Sequence, residues 1–234
     1  MKKKAAILVP LLALAGFVLR WLQKKNSYDA FGLIAPGDGL SIALNLLGVL
    51  GIALILVLCL RLPKKDQSPI GGKPFAFGKL AAAALLLVSL MPPSFDGALP
   101  AIVCVLGLCS VISMAIEALF QVRGQTGTLI GGCVLSVYLM VYLIARYLEW
   151  SYVHMLADFI FPLVFNICCM LASYRLAAFR EGKGLRRRTL FYGLCALIFA
   201  GPVLADGGLL SVLRTLALCL YLLCGIWPQM TIPE

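Results

Sequence analysis

The stretch that decides the fold is Leu40–Leu62, which reads LSIALNLLGVLGIALILVLCLRL and carries one charge, Arg61, at its end. An α-helix needs about 20 consecutive apolar residues to cross the hydrocarbon core of a bilayer. This stretch reaches that length without an internal charge. It therefore predicts a transmembrane helix.

Seven further stretches of the chain have the same character. The full set of predicted spans is Ala5–Trp21, Leu40–Leu62, Pro74–Met91, Leu99–Phe120, Thr128–Tyr147, Tyr152–Ala178, Leu190–Ala205 and Leu209–Ile226. Together they leave 73 of the 234 residues for all loops and tails. That remainder is too short for an extramembrane domain, so residues 1–234 are predicted to form one polytopic membrane domain.

The composition of the whole chain agrees with these spans. Apolar residues make up 62% of the chain and charged residues 13%, whereas a soluble domain carries about 25% charged residues. This excludes a soluble enzyme, a disordered chain and a secreted disulfide module. All nine cysteines lie in apolar runs without a Cys-x-x-Cys pair, which is typical of packing residues. The predicted fold is an all-α integral membrane protein, a bundle of about eight transmembrane helices.

The net charge of +10 is explained by topology rather than by a nucleic-acid partner. With the N-terminus in the cytoplasm, fifteen Lys and Arg residues flank the spans inside and four flank them outside. Such a bias sets orientation in membrane proteins. Both termini are therefore predicted to be cytoplasmic, in a multi-pass protein of the cell membrane. The first helix also resembles a signal peptide, with Ala13-Leu14-Ala15 as the cleavage site, but its apolar run continues beyond that site and favours an uncleaved anchor.

Two predicted hairpins share the pattern P-x-x-x-D-G-[AG]-L, at Pro92–Leu99 and at Pro202–Leu209. The offset is 110 residues. One interpretation is a 4+4 parallel repeat with halves 1–124 and 125–234, related by an axis along the membrane normal. The other is that two similar turns converged, because proline and Asp-Gly suit any tight connection.

The sixth predicted helix has a polar face. His154, Asp158, Pro162 and Asn166 fall within about a 120° arc at 100° per residue. Ionisable residues inside spans are expensive and often functional. Pro162 predicts a kink that frees the carbonyl of Asp158, as in the broken helices of transporters. The alternative is that Asp158 simply lies near the outer interface and the kink is ordinary.

Arg214 is an isolated charge within the last span. Helical rise places it at about the same depth as Asp158, roughly 10 to 12 Å below the outer end. The sequence therefore suggests an Asp158–Arg214 pair, which could be structural or part of a transport path. Arg214 could instead extend its side chain to the outer headgroups.

Helices four and five add further candidates for a substrate or ion pathway. Arg146 and Glu149 lie on one face of helix five and point to the same outer vestibule. Glu117, near the inner end of helix four, is expected to reach water or Arg123. A separate ladder of small residues, Gly124, Thr128, Gly132 and Ser136, predicts a close helix–helix contact.

Motifs for catalysis are missing from the sequence. A single histidine excludes His-x-x-x-His metal sites, and no P-loop, Gly-x-Ser-x-Gly elbow or dinucleotide pattern is present. We therefore expect no enzyme activity, metal or cofactor. The leading functional hypothesis is a small-solute or ion permease. The alternative is a non-catalytic scaffold or accessory subunit. The expected partners are the lipid bilayer and, for a scaffold, other membrane proteins or further copies of this chain.

Overall fold

The computed structural model describes residues 2–27, 38–62, 72–91, 98–124, 129–150, 159–180 and 184–230. These residues form eight α-helices and, within those ranges, no strand. The helices are α1 (Lys2–Asn26), α2 (Gly39–Leu60), α3 (Lys73–Ser89), α4 (Ala98–Val122), α5 (Leu129–Trp150), α6 (Ile160–Arg180), α7 (Arg186–Asp206) and α8 (Leu209–Met230). The all-α fold predicted from the sequence is confirmed.

Seven of the eight helices are long and apolar enough to cross a membrane. The exception, α3, has 17 residues, or about 26 Å at 1.5 Å per residue. That length is at the lower end of the spanning range. The protein is thus a multi-pass helical membrane bundle.

Six helices form a closed ring in which α3, α4, α5, α6, α7 and α8 each pack against the next, and α8 packs back against α3. The two remaining helices, α1 and α2, pack on the outside of α7. As a result α7 is the most buried of the seven spanning helices. Every residue from Gly193 to Val203 is buried, as expected for a helix that is apolar on all sides.

Glycine permits the closest of these contacts. A Cβ atom at Gly201 of α7 would overlap the backbone carbonyl of Ala13 of α1. The missing side chain therefore lets the two backbones approach each other directly, as at small-residue contacts in membranes.

The helix packing does not show the 4+4 repeat. A four-helix offset would relate the α3–α8 contact to one between α7 and α4, and the α1–α7 contact to one between α5 and α3. Neither related pair packs extensively within the described residues. The first of the two similar hairpins, at 92–97, lies outside those residues. In the second, Pro202 does not end its helix, because α7 continues to Asp206.

The two ends of the helix bundle are called the distal face and the terminal face. At the distal face, α1 and α7 end together, and Arg20 of α1 bonds Asp206 of α7. At the terminal face, α2 ends where α7 begins, and Arg187 Nε donates to the Leu62 carbonyl at 2.6 Å.

The distal start of α2 is capped by Asp38, whose carboxylate accepts from the Ser41 backbone N–H at 3.0 Å. Desolvation raises the pKa of Asp38, but hydrogen bonds from Ser27, from Ser41 and from the Leu40 backbone outweigh it. The net pKa of Asp38 is lowered from 3.8. The folded protein therefore favours the ionised cap.

The largest boundary difference concerns the link between α5 and α6. Helix α5 continues to Trp150, past the predicted end at Tyr147, and α6 begins at Ile160 rather than at Tyr152. The predicted link has no Gly or Pro to end α5. Pro162 lies in the first described turn of α6. Residues 151–158 lie outside the described part of the chain, so the predicted kink stays a prediction.

Candidate functional site: a cationic pocket at the distal face

A pocket of about 450 Å³ opens between α1, α5, α6, α7 and α8 at the distal face. Its walls combine charged, aromatic and small residues. The lining residues are Arg20, Lys24, Tyr142, Arg146, Phe159, Pro162, Phe165, Asn166, Val203, Asp206, Gly207, Gly208, Ser211, Arg214 and Thr215.

Four of these side chains are cationic, Arg20, Lys24, Arg146 and Arg214, and one, Asp206, is anionic. The formal charge of the described lining residues is therefore +3. Charged side chains within or beside a membrane are costly and mark candidate functional sites. The pocket is thus a concentrated positive region.

Asp206 interacts with the two cations contributed by α1. Its Oδ1 atom lies 2.8 Å from Arg20 Nε and 3.0 Å from Lys24 Nζ. Arg20 is 2% exposed and also donates from Nη1 to Gln23 Oε1 at 2.7 Å. These contacts tie the distal end of α1 to α7 and engage the Asp206 carboxylate on one side.

The other two cations share an aromatic ring. The Arg214 guanidinium lies 4.0 Å from the centroid of the Tyr142 ring, and that of Arg146 lies 5.6 Å from it. Arg146 Nε also donates to the Tyr142 hydroxyl at 2.9 Å. Cation–π contacts of this kind hold arginine heads in place. Two guanidinium groups are thereby positioned at the same wall of the pocket.

Asn166 contributes a polar group to the opposite wall. Its amide nitrogen donates to the Pro162 carbonyl at 2.7 Å. Its Oδ1 atom is buried and accepts no hydrogen bond from the described part of the chain. A buried acceptor without a partner costs free energy, so this oxygen is available to a ligand donor.

Two helices begin at the pocket. Gly207, Gly208 and Ser211 place the first turn of α8 in its wall, and Phe159 and Pro162 do the same for α6. A helix start carries partial positive charge from unpaired backbone N–H groups. These dipoles add to the four cationic side chains.

The structure brings together four of the residues singled out in the sequence: Arg146, Pro162, Asn166 and Arg214. His154 and Asp158 lie outside the described residues, as does the side chain of Glu149. The suggested Asp158–Arg214 pair therefore stays a prediction. No carboxylate of the described ranges lies within 4 Å of the Arg214 guanidinium.

Glu117 belongs to a different cluster, closer to the terminal face. It is 1% exposed, so the expectation that it reaches water or Arg123 is wrong. Its Oε2 atom lies 3.7 Å from Lys79 Nζ of α3 and 3.2 Å from the Tyr221 hydroxyl of α8. The carboxylate fits there because Gly131 of α5 has no side chain to occupy the same space.

The ladder of small residues is used inside the chain. Gly132 of α5 packs against Ala177 and Ser173 of α6, and the Ser136 and Ser173 hydroxyls lie 2.8 Å apart. Gly124 is not on this face, because it follows the end of α4 with φ 73°, and no described atom lies within 4 Å of the position that its Cβ would occupy. Thr128 lies outside the described residues. The face is therefore not open to a second protein.

Sequence reasoning missed Arg20, Lys24 and Asp206 as pocket residues and Lys79 as the partner of Glu117. Each of them lies near a helix end, where a charge is ordinary. Arg20 follows about four turns of uninterrupted apolar sequence and precedes Trp21. This position marks the membrane interface but does not reveal a partner 186 residues away.

Comparisons with known proteins do not extend this picture: no family model matches the chain, and no curated protein or solved structure matches it.

Proposed function

We propose that this protein is a membrane permease for a small anionic solute, which binds in the distal pocket. The observation that carries the proposal is the concentration of cationic side chains in the described lining, where Arg20, Lys24, Arg146 and Arg214 lie with Asp206. The predicted substrate class is a carboxylate, phosphate or sulfate of modest size. The proposed role is carriage rather than catalysis.

The size and chemistry of the pocket support this substrate class. Small-molecule sites commonly occupy about 300 to 1,000 Å³, and the pocket has about 450 Å³. Arginine presents a planar fork that matches a carboxylate or phosphate through two parallel hydrogen bonds. Arg146 and Arg214 stand at one wall with their guanidinium groups beside the same ring, a suitable arrangement for one anion.

Repulsion between the guanidinium groups of Arg146 and Arg214 favours the binding of an anion in the pocket. The two guanidinium carbons lie within 10 Å of each other, because both are near the Tyr142 ring. At an effective dielectric constant of about 20, two unit charges at that separation repel by about 1.7 kcal/mol or more. The attraction of a bound anion to both groups offsets this repulsion.

Orientation follows from the Lys and Arg distribution in the sequence. We propose that the terminal face is cytoplasmic and that the pocket opens to the outside of the cell membrane. The alternative, a scaffold, rested on the short loops, the lack of a soluble domain and an open small-residue face. The last of these grounds is weakened, because Gly132 and Ser136 pack against α6.

The test uses purified protein reconstituted in proteoliposomes, with inorganic phosphate, sulfate and succinate as probes. We expect at least one of them to raise the thermal stability of the protein and to enter the vesicles. Arg214→Gln should weaken that binding by roughly tenfold or more, since a hydrogen bond to a charged group is worth about 1.5–3 kcal/mol.

The matched control is Arg175→Gln. Arg175 also lies beside a tyrosine, Tyr174, at 5.9 Å from its centroid, but it is not a pocket residue. Binding should be unchanged in this variant. Equal loss in both variants, or no stabilisation by any of the three anions, would contradict the proposal. Binding without uptake would retain the site and refute the permease.

A further inference from the structure

A second cationic region lies at the terminal face, where α7 begins. Arg186, Arg187 and Arg188 are consecutive and occupy the first turn of this helix. They border a groove of about 710 Å³ between the end of α2 and the start of α7. The remaining lining is mostly apolar: Leu56, Cys59, Leu60, Leu185, Phe191 and Tyr192.

The position of the three arginines is electrostatically unfavourable for the helix. The N-terminus of a helix carries partial positive charge, and cations are stabilising at the opposite end. The described lining of the groove contains no carboxylate to offset them. An anion at this place would interact favourably with both the arginines and the helix start.

The apolar wall of the groove is turned to the outside of the bundle. Leu56, Leu60 and Leu185 are 45%, 59% and 40% exposed. Among the described helices, α2 packs extensively only against α1 and α7, so its other side faces the bilayer. The groove is therefore continuous with the acyl region and is not a closed aqueous cavity.

The arginines are fixed at the level of a lipid headgroup. Arg186 is buried at 3% exposure, and Arg187 Nε donates to the Leu62 carbonyl at 2.6 Å, just past the end of α2. Arg188 is exposed. Arg186 is thus held at the bottom of the groove, Arg187 spans the gap between α2 and α7, and Arg188 extends outwards.

From this arrangement we propose that the groove binds an anionic phospholipid. The phosphate lies against Arg187 and Arg188, and the acyl chains run along Leu56 and Leu60. A diffusible anion would gain nothing from the apolar wall, and a zwitterionic lipid would gain less from Arg187 and Arg188. This site is independent of the distal pocket and of the function proposed for it.

The experiment is a lipid titration of the whole protein in detergent, followed by native mass spectrometry and thermal unfolding. The probes are phosphatidylglycerol, phosphatidylcholine of the same chain length, and inorganic phosphate. We expect phosphatidylglycerol to bind and stabilise, and the other two to do neither at equal concentration.

Two variants divide the site into its parts. The double variant Arg187→Gln, Arg188→Gln should weaken phosphatidylglycerol binding by roughly thirtyfold, at about 1 kcal/mol for each cation near an anionic membrane surface. The matched control, Lys73→Gln with Arg123→Gln, removes two exposed cations outside the groove and should leave binding unchanged. Leu60→Trp fills the groove without changing charge and should also weaken binding.

The proposal is overturned if inorganic phosphate stabilises the protein as well as phosphatidylglycerol does, or if phosphatidylcholine binds equally. It is also overturned if the groove and control double variants lose the same affinity. Melting of each variant in phosphatidylcholine alone shows whether it is folded. A variant that does not fold is replaced by Arg188→Gln, whose side chain is exposed.

Discussion

Replacing Glu117 by methionine removes a carboxylate that the bundle keeps away from water. The side chain of Glu117 has no exposed surface, and that of its partner Lys79 has 10%. A methionine side chain has nearly the volume of a glutamate or a lysine side chain, so the substitution changes charge far more than packing. We expect the protein to be strongly destabilised.

The magnitude follows from what remains after the substitution. Lys79 loses the carboxylate 3.7 Å from its Nζ atom, and the Tyr221 hydroxyl loses its acceptor at 3.2 Å. Removing one partner of a buried ion pair typically costs about 3–5 kcal/mol, whereas replacing both partners by apolar groups is often neutral or stabilising. The expected cost is therefore about 3 kcal/mol or more for Glu117→Met, with a similar cost for Lys79→Met and much less for the double variant.

The assay is reversible unfolding in mixed micelles, followed by far-UV circular dichroism, for the two single variants and the double variant. Ile116→Met serves as the control, because Ile116 is 41% exposed on the same helix and should change stability by less than about 0.5 kcal/mol. Single-variant costs that simply add in the double variant would refute the coupling of Lys79 with Glu117.

Three further expectations concern other parts of the bundle. Gly201→Ala should destabilise the protein although alanine favours helices, because the new Cβ meets the α1 backbone. Gly39→Ala should leave stability unchanged, because nothing lies within 4 Å of its new Cβ. Thermal unfolding compares the two variants. Asp38→Asn keeps a capping side chain that cannot ionise. The stability advantage of the wild type should be present above pH 3.8 and disappear as the pH falls through the lowered pKa of Asp38. Unfolding of both proteins between pH 7 and pH 3 measures this difference in stability. In a background without native thiols, Ser211→Cys in the pocket should react faster with an anionic than with a cationic thiosulfonate reagent, whereas Ser89→Cys, outside the pocket lining, should show no such preference; equal rates at Ser211→Cys would contradict a positive pocket.

The sequence predicted the helices well because each span is a local property. Length and hydropathy identify Leu209–Ile226 without knowledge of any other helix, and the structure extends it only to Met230. The start of α6 was harder to predict. The residues between Tyr147 and Ile160 include no Gly or Pro, so composition alone gives no sign of where one helix stops and the next begins.

The pocket was predictable only in part. Periodicity placed Arg146 and Glu149 on one face of α5, and a charge within a span drew attention to Arg214. The partners across the bundle could not be found in this way, because Arg20 and Asp206 are brought together by the packing of α1 on α7. Glu117 was assigned to water for the same reason: the cation that meets it, Lys79, belongs to another helix.

The contact between α1 and α7 also has a consequence for biosynthesis. Arg20 enters the bilayer 186 residues before Asp206 is translated, which corresponds to roughly 10–40 s at 5–20 residues per second. Throughout that interval the first helix lacks both the Asp206 carboxylate and its packing against α7. The guanidinium of Arg20 therefore reaches this carboxylate only after the seventh helix has been inserted.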